Sequence, residues 1–287
     1  MKLTVVIPTC DRPDALRACL EKLQPANQTY VGFPCEVVVS DDSRKVAAQT
    51  LLGREFPHVK WINGPHRGPA AHRNAGAAAA QGDVVVFLDD DCLPQPELVA
   101  AYAGAFADPS LLAAEGRIRA DRPHRRMNEE APVNESGGCF WSCNIAIRRN
   151  FFLEIGGFDE RFPYAAMEDV ELRERIIRTG TSIRFLPHAL VIHPLRIMPG
   201  WGYLRKRAAS HGIYILMPSC HLGRPSYSAA LRHTLRLIVR RFIPRFIALR
   251  GRGAWSASRT LTLPLWSAWY MKKALRTRRR TAKSGYA

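Results

Sequence analysis

Runs of apolar, mostly β-branched residues recur near the start of the chain: LTVVIPT (3–9), CEVVVSDD (35–42), VKWING (59–64) and DVVVFLDDD (83–91). Each closes on Pro, Gly or Asp, the residues expected where a strand stops. Between them lie helical patterns. Residues 13–23 carry Leu16, Leu20 and Leu23 at helical spacing, and residues 70–80 are dense in alanine. Strand alternating with helix predicts an α/β fold, a mainly parallel sheet flanked by helices on both faces. Further on, residues 137–162 read as a strand, a short helix and a glycine turn. Residues 168–180 follow as a helix with Asp169 near its start, Val170, Leu172, Ile176 and Ile177 along one broad face, and Gly180 at its exit. Residues 182–194 return as a strand ending at His193.

The polar residues that end these strands carry the first functional signal. Open α/β sheets gather ligands beyond the carboxyl ends of their strands. Thr9, Asp11 and Arg12 follow the first strand, Asp41 and Asp42 the second, and Asp89, Asp90 and Asp91 the fourth. Asp and Thr also cap helices, so any one position has a structural explanation. Three strands ending alike favour a site. The DDD triplet raises a further question, because two carboxylates about 4 Å apart repel by roughly 4 kcal/mol at an effective dielectric near 20. A positive partner is expected there.

Composition narrows the class. The chain has 287 residues, 47% of them hydrophobic, enough for a substantial core. Its seven cysteines are odd in number and irregular in spacing, and MKLTVVIPTC reads as a first strand rather than a secretory signal, so reduced thiols in the cytoplasm are expected. Cys139 and Cys143 lack the second ligand pair that a zinc site needs. No run of 18 apolar residues predicts a membrane-spanning helix.

Charge is divided unevenly. From Ile197 onward there are 19 Lys and Arg and no Asp or Glu, whereas residues 1–196 hold 23 basic and 25 acidic residues. The expected division is a near-neutral domain over 1–196 and a basic extension over 197–287. Within the extension, Leu231, Leu235, Ile238, Val239, Phe242, Phe246 and Leu249 fall on one helical face with arginines around the remainder, and Pro244 is expected to kink that helix. Farther on, Trp266, Trp269 and Tyr270 lie beside Lys272, Lys273 and Arg276. Such a mixture suits an anionic membrane surface, here the inner face of the cell membrane, as a peripheral attachment. The alternative is that the apolar faces pack on the first domain. Polyanions would bind nonspecifically, but no nucleic-acid fold signature accompanies the charge.

The ordered motifs VVIPTCDR, VVVSDDS, RGPAAHRNAG, VVFLDDDC, IGGFDERF, EDVELRERIIRTG and VIH resemble those of family 2 glycosyltransferases, over about residues 3–195. The resemblance implies a GT-A fold and an inverting, metal-dependent transfer of a sugar from a nucleotide-sugar donor, UDP favoured, to a glycan or lipid-linked acceptor. It implies Mn²⁺ or Mg²⁺ held by Asp89, Asp91 and His193, with Asp90 leaving open which pair of the triplet faces the ion. It puts Pro8, Thr9, Asp11, Arg12 and Asp42 around the nucleoside, with Asp41 as the fallback for Asp42, and Asp89 and Asp90 on the nucleotide sugar as well, Asp89 near the ribose. Arg73 is implied on the base or diphosphate, against the alternative of a surface helix arginine. The Gly68 turn is expected to let backbone approach the ligand. Asp169 matches the catalytic base, though it and Glu168 would also stabilise a helix N-terminus. Trp141 and Glu168 fall on the acceptor side, with core packing the other reading for Trp141. A sugar nucleotidyltransferase would ordinarily carry a glycine-rich phosphate loop after the first strand, and PTCDRPD has none. A catalytically silent sugar-nucleotide-binding or membrane scaffold would have no need of Asp91, Asp169 and His193.

Overall fold

Because Val5, Val6 and Ile7 are apolar in succession, β1 (Leu3–Thr9) is stable only with both faces covered, and its burial shows that both are. The computed structural model describes residues 1–29, 35–44, 48–198, 200–217, 235–236, 238–267 and 269–270. After β1 come α1 (Pro13–Leu23), β2 (Cys35–Asp41), α2 (Ala48–Glu55), β3 (Lys60–Asn63), α3 (Pro69–Ala79) and β4 (Val84–Leu88). The chain continues through β5 (Leu93–Pro94), α4 (Leu98–Phe106), β6 (Ala113–Ala120), β7 (Glu129–Glu130), β8 (Asn144–Arg148), α5 (Arg149–Glu154), α6 (Glu168–Arg178) and β9 (Ile183–His193).

One sheet has the strand order β3-β2-β1-β4-β8-β6-β9-β5. Its first four strands are mutually parallel, as the alternation with helices predicts. Beyond β4 the sheet becomes mixed: β8 runs antiparallel to both β4 and β6, while β6 and β9 are parallel. Residue parity sorts the core. Val5, Ile7, Val37, Val39, Val84 and Val86 face a cluster completed by Leu16 and Leu20 of α1 and by Leu98 and Tyr102 of α4. Val6, Val38, Val85 and Phe87 face the opposite cluster, with Ala70 and Ala77 of α3, Phe152 of α5 and Leu172 and Ile176 of α6. In the second cluster Phe87 meets Phe152 and Phe158 with ring centroids 5.2 Å away in both cases. Each such buried ring contributes on the order of 2–3 kcal/mol. The parallel register sets Thr9 beside Asp41 and Asp41 beside Asn63, so the strands release their polar residues at a common edge.

The chain divides into two compact units. The first comprises Met1–Arg122, Ala131–Pro163 and Asp169–Pro194; the second comprises Pro123–Glu130, Tyr164–Glu168 and the described residues from Leu195 on. In the second unit β10 (Arg196–Ile197) pairs antiparallel with β7, and α7 (Trp201–Ile215) buries Leu204, Ala208 and Tyr214. Arg207 pairs with Glu130 at 3.0 Å, and the Met127 N–H donates to the Arg252 carbonyl at 2.8 Å. Pro244 lies where a π-helical turn meets an α-helix. It occupies the second position of a short helix, Ile243–Ala248, where its missing N–H costs little, and a π-helical turn over Ile238–Phe242 precedes it. Leu231, Arg232, Lys272, Lys273 and Arg276 lie outside the described residues.

Candidate active site

At the end of β4 the chain leaves the sheet with three acids that take three different partners. Asp89 Oδ1 accepts a hydrogen bond from Arg73 Nη2 at 2.7 Å. Asp90, with no exposure, accepts from the Thr9 hydroxyl at 2.8 Å and pairs with Arg12 Nη2 at 2.6 Å. Asp91 faces His193 Nε2 at 3.5 Å through Oδ1 and accepts from Arg12 Nη1 at 3.3 Å through Oδ2. The protein itself therefore supplies positive partners for the triplet, and like-charge repulsion alone does not require an ion. Burial acts to raise the Asp89 carboxyl, but Arg73 and then His193 outweigh it and hold it below the usual carboxylate range. At Asp90 burial prevails, and the carboxyl is pushed up to about 7 against the pull of Arg12 and Thr9. Asp90 is fully buried and committed to Thr9 and Arg12, so in this arrangement it reaches a ligand through them.

Arg73 is 2% exposed, so the surface-arginine reading is wrong. Its guanidinium lies over the Phe158 ring at 5.5 Å while donating to Asp89, an arrangement that keeps one carboxylate ionised inside a mostly apolar layer. Gly68, which precedes α3, has φ +96°, and a Cβ there would stand 2.6 Å from the Pro163 carbonyl oxygen. Close packing on Pro163 and the positive φ thus account for this glycine.

At the first two strand ends the acids are tied into turns. Asp11, at φ +52°, donates its N–H to Ser43 Oγ at 2.8 Å and accepts the Arg44 N–H at 3.0 Å, and Pro8 lies half-buried in β1. Asp41 accepts the Ser43 and Ala48 N–H groups at 2.8 and 2.7 Å and the Trp61 indole N–H at 3.2 Å. Those bonds fix the start of α2 and give Asp41 a structural role. Asp42 accepts the His66 N–H at 2.9 Å and pairs with His72 Nε2, while His72 Nδ1 lies 3.2 Å from Ser40 Oγ. Sequence reasoning missed both histidines. His72 sits in the same AHRNAG stretch as Arg73, and that shared helix was the available signal.

Asp169, in the first turn of α6, keeps partial exposure. Its Oδ1 accepts the Val170 N–H at 2.8 Å and its Oδ2 the Ser142 N–H at 3.4 Å. Burial raises its pKa, and the Val170 N–H and the charge of Arg73 only partly offset that. Glu168 opens the same helix, is buried, and belongs to the second compact unit. Trp141 is half-buried and packs against the core cluster, which supports the packing reading for part of its surface.

Among the described residues, one group of possible metal ligands converges. Atoms of Asp91, Cys92 and His193 lie within 4.8 Å of one another. A carboxylate oxygen beside an imidazole nitrogen suits Mn²⁺ or Mg²⁺, which take few protein ligands when phosphates supply the rest, so the residues fit such an ion. Asp89, bonded to Arg73, is not in this group. Cys92 is fully buried and its thiol donates to the Cys143 carbonyl at 3.5 Å, the environment of a core cysteine.

The pattern of glycosyl transferase family 2 matches residues 4–167. The chain belongs to glycosyl transferase family 2. A pre-mycofactocin glycosyltransferase of Mycobacterium tuberculosis is 31% identical over 211 residues, covering 68% of this chain and 43% of that protein. A validoxylamine A glucosyltransferase of Streptomyces hygroscopicus is 28% identical over 221 residues, covering 62% and 48%. The chain thus spans about two fifths to half the length of these relatives. Its fold is that of solved GT-A glycosyltransferases. One is a mannosyltransferase from Pyrobaculum calidifontis in complex with GDP-Man and Mn²⁺, with TM-score 0.58, 18% identity and coverage of 94% of this chain and 86% of that one. Another is S. aureus TarS 1–349 in complex with UDP, with TM-score 0.57, 15% identity and coverage of 98% and 92%. The strand-edge acids of this family 2 member fall at the edge where α/β sheets take their ligands.

Proposed function

We propose that this family 2 glycosyltransferase moves a sugar from a nucleoside-diphosphate sugar, UDP favoured, to a hydroxyl of a glycan or lipid-linked acceptor, with inversion at the anomeric carbon. One observation carries the reading: Asp91 and His193, brought from β4 and β9, meet at 3.5 Å on the edge where the parallel strands end. Asp91 and His193 would hold Mn²⁺ or Mg²⁺. That ion, when bound, neutralises charge on the departing diphosphate. Arg12 is 43% exposed at its side chain and already bridges Asp90 and Asp91, so its fork can turn from Asp91 to a phosphate without leaving Asp90. Asp89, oriented by Arg73, accepts from a ribose hydroxyl. Pro8, Thr9, Asp11 and Asp42 form the nucleoside side, with Asp42 acting through the turn it holds at His66. Asp169 takes the acceptor proton as the hydroxyl attacks; its raised pKa makes it a stronger base than an ordinary aspartate. Trp141 and Glu168 belong to the acceptor side. A panel of nucleotide sugars, scored for nucleoside diphosphate release with Mn²⁺ or Mg²⁺ and with chelator, tests the reading. Release from one donor that chelator abolishes is expected, and release unaffected by chelator would remove the metal assignment.

The reading extends to an anionic membrane surface as partner, with residues 197–287 as the attaching extension at the inner face of the cell membrane. Leu235, Val239, Ile243, Phe246 and Ile247 follow helical spacing and are all exposed, Val239 at 64% and Ile247 at 72%; Trp255 is 82% exposed. Apolar side chains so open to water, in a region without a single acid from Ile197 on, suit a bilayer interface. No helix among the described residues is long and apolar enough to cross a membrane. Flotation with phosphatidylglycerol vesicles checks this: retention through a high-salt wash is expected, and complete release would leave only electrostatic attraction.

A further inference from the structure

We infer that Glu115, a buried residue of β6, is a positioning residue for Asp169, because it folds the loop Gly137–Trp141 into the shape that delivers the Ser142 N–H to that carboxylate. The inference rests on the proposed role of Asp169 as base.

Glu115 is 3% exposed and accepts from a run of successive amides. Its Oε1 takes the Gly138 N–H, and its Oε2 takes the Cys139 N–H at 3.1 Å and the Phe140 N–H at 2.6 Å. The Asn134 carboxamide donates to the same Oε2 at 2.9 Å, while its oxygen accepts the Gly137 N–H at 2.8 Å. Consecutive N–H groups converging on one anion form a backbone nest. Here the anion is a side chain of the protein itself.

The loop conformation is one the chain would not adopt unaided. Gly137 and Gly138 have φ +87° and +88°, and Phe140, a bulky residue with no exposure, has φ +52°. A left-handed Phe persists only where the surroundings over-determine it. The Phe140 N–H bond to Glu115 and the burial of the ring in the second core cluster provide that constraint. Directly after the nest, the Asn144 N–H donates to the Trp141 carbonyl at 2.9 Å, closing a turn around Ser142, whose own N–H reaches Asp169 Oδ2 at 3.4 Å. Glu115 touches neither the proposed ion ligands nor Asp169; it acts through the loop.

Glu115→Gln keeps the volume, removes the charge and turns an NH₂ group toward amide donors. Hydrogen exchange on the full chain is expected to quicken at least tenfold at residues 138–142 and to stay unchanged in β1. Turnover of the nucleotide sugar that the wild type uses best should fall at least tenfold, with UDP affinity within twofold. In an Asp169→Asn background the same substitution should cost less than threefold, because the group it positions is already disabled. Unchanged exchange at Ser142, or undiminished turnover despite a loosened loop, or a full tenfold loss in the Asp169→Asn background, would overturn the inference. Should Glu115→Gln not fold, Gly138→Ala applies the same test from the loop side, since its Cβ meets open space but φ +88° strains it. A wild type that turns over no nucleotide sugar would sink the glycosyl-transfer reading separately, and exchange at Ser142 then decides the Glu115 claim.

Discussion

Two acidic sites, Glu115 on β6 and the triplet just past β4 of the same sheet, are held in opposite ways. Glu115 is gripped by backbone amides and one carboxamide, groups that cannot swing away without unfolding a loop. The Asp89–Asp91 triplet is held by the side chains of Arg73, Thr9, Arg12 and His193, of which Arg12 alone is half-exposed. The contrast separates structural carboxylates from exchangeable ones. An acid satisfied by amides belongs to the fold, whereas Asp91, paired through the half-exposed Arg12, is the one we propose trades that partner for an ion and a diphosphate. Asp169 stands between these cases, with two amide donors and partial exposure.

The sharpest way to break this comparison is at Asp169. Asp169→Asn keeps the shape and removes basicity, and kcat should fall by about 10²–10⁴-fold with nucleotide binding nearly intact. In the wild type, activity should be lost as pH falls through the raised Asp169 pKa, so the acid limb of kcat/KM should lie above the value of about 4 for an ordinary aspartate. Equal turnover in the variant, or an acid limb at or below that value, would remove Asp169 from the base role.

Next in size is a contrast in stability. Glu115→Ala leaves several buried amides without an acceptor and should cost about 3 kcal/mol or more in chemical denaturation. Asp91→Asn relieves like-charge crowding and should stay within about 1 kcal/mol of the wild type. Similar losses in the two variants would erase the distinction between amide-held and side-chain-held acids. A smaller effect is expected for Arg12→Gln, which removes the half-exposed bridge between Asp90 and Asp91. Nucleotide affinity should fall a few-fold with little change in melting temperature; an unchanged affinity would take Arg12 out of phosphate binding.

The parallel half of the sheet was plain in the sequence, because strands buried on both faces must be apolar at successive positions. The helix expected over 13–23 is α1 as observed, and the acids at the strand ends were visible for the same reason. The mixed half was harder to see. β6 reads AAEGRIRA, with alanines, a glycine and charges where β-branched residues would signal a strand, and α4 lacks a side-chain cap. Three consecutive aspartates carry no information about which one faces His193, since that depends on where β9 ends. The burial of Arg73 and of Glu115 was hidden for a common reason. Their burial is set by partners 16 or more residues away, Asp89 and the 134–140 loop, and charge in a sequence looks like surface until those partners are known.

The central claim is that Asp91 and His193 exchange their present pairing for a divalent ion shared with a nucleoside diphosphate. Mn²⁺ binding followed by electron paramagnetic resonance, with and without UDP or GDP, tests it most directly. The account predicts one ion per chain whose affinity rises when the diphosphate is added, and at least a tenfold weakening in Asp91→Asn and in His193→Ala but not in Glu115→Gln. Ion binding that is indifferent to the nucleotide, or unchanged in the first two variants, would contradict it.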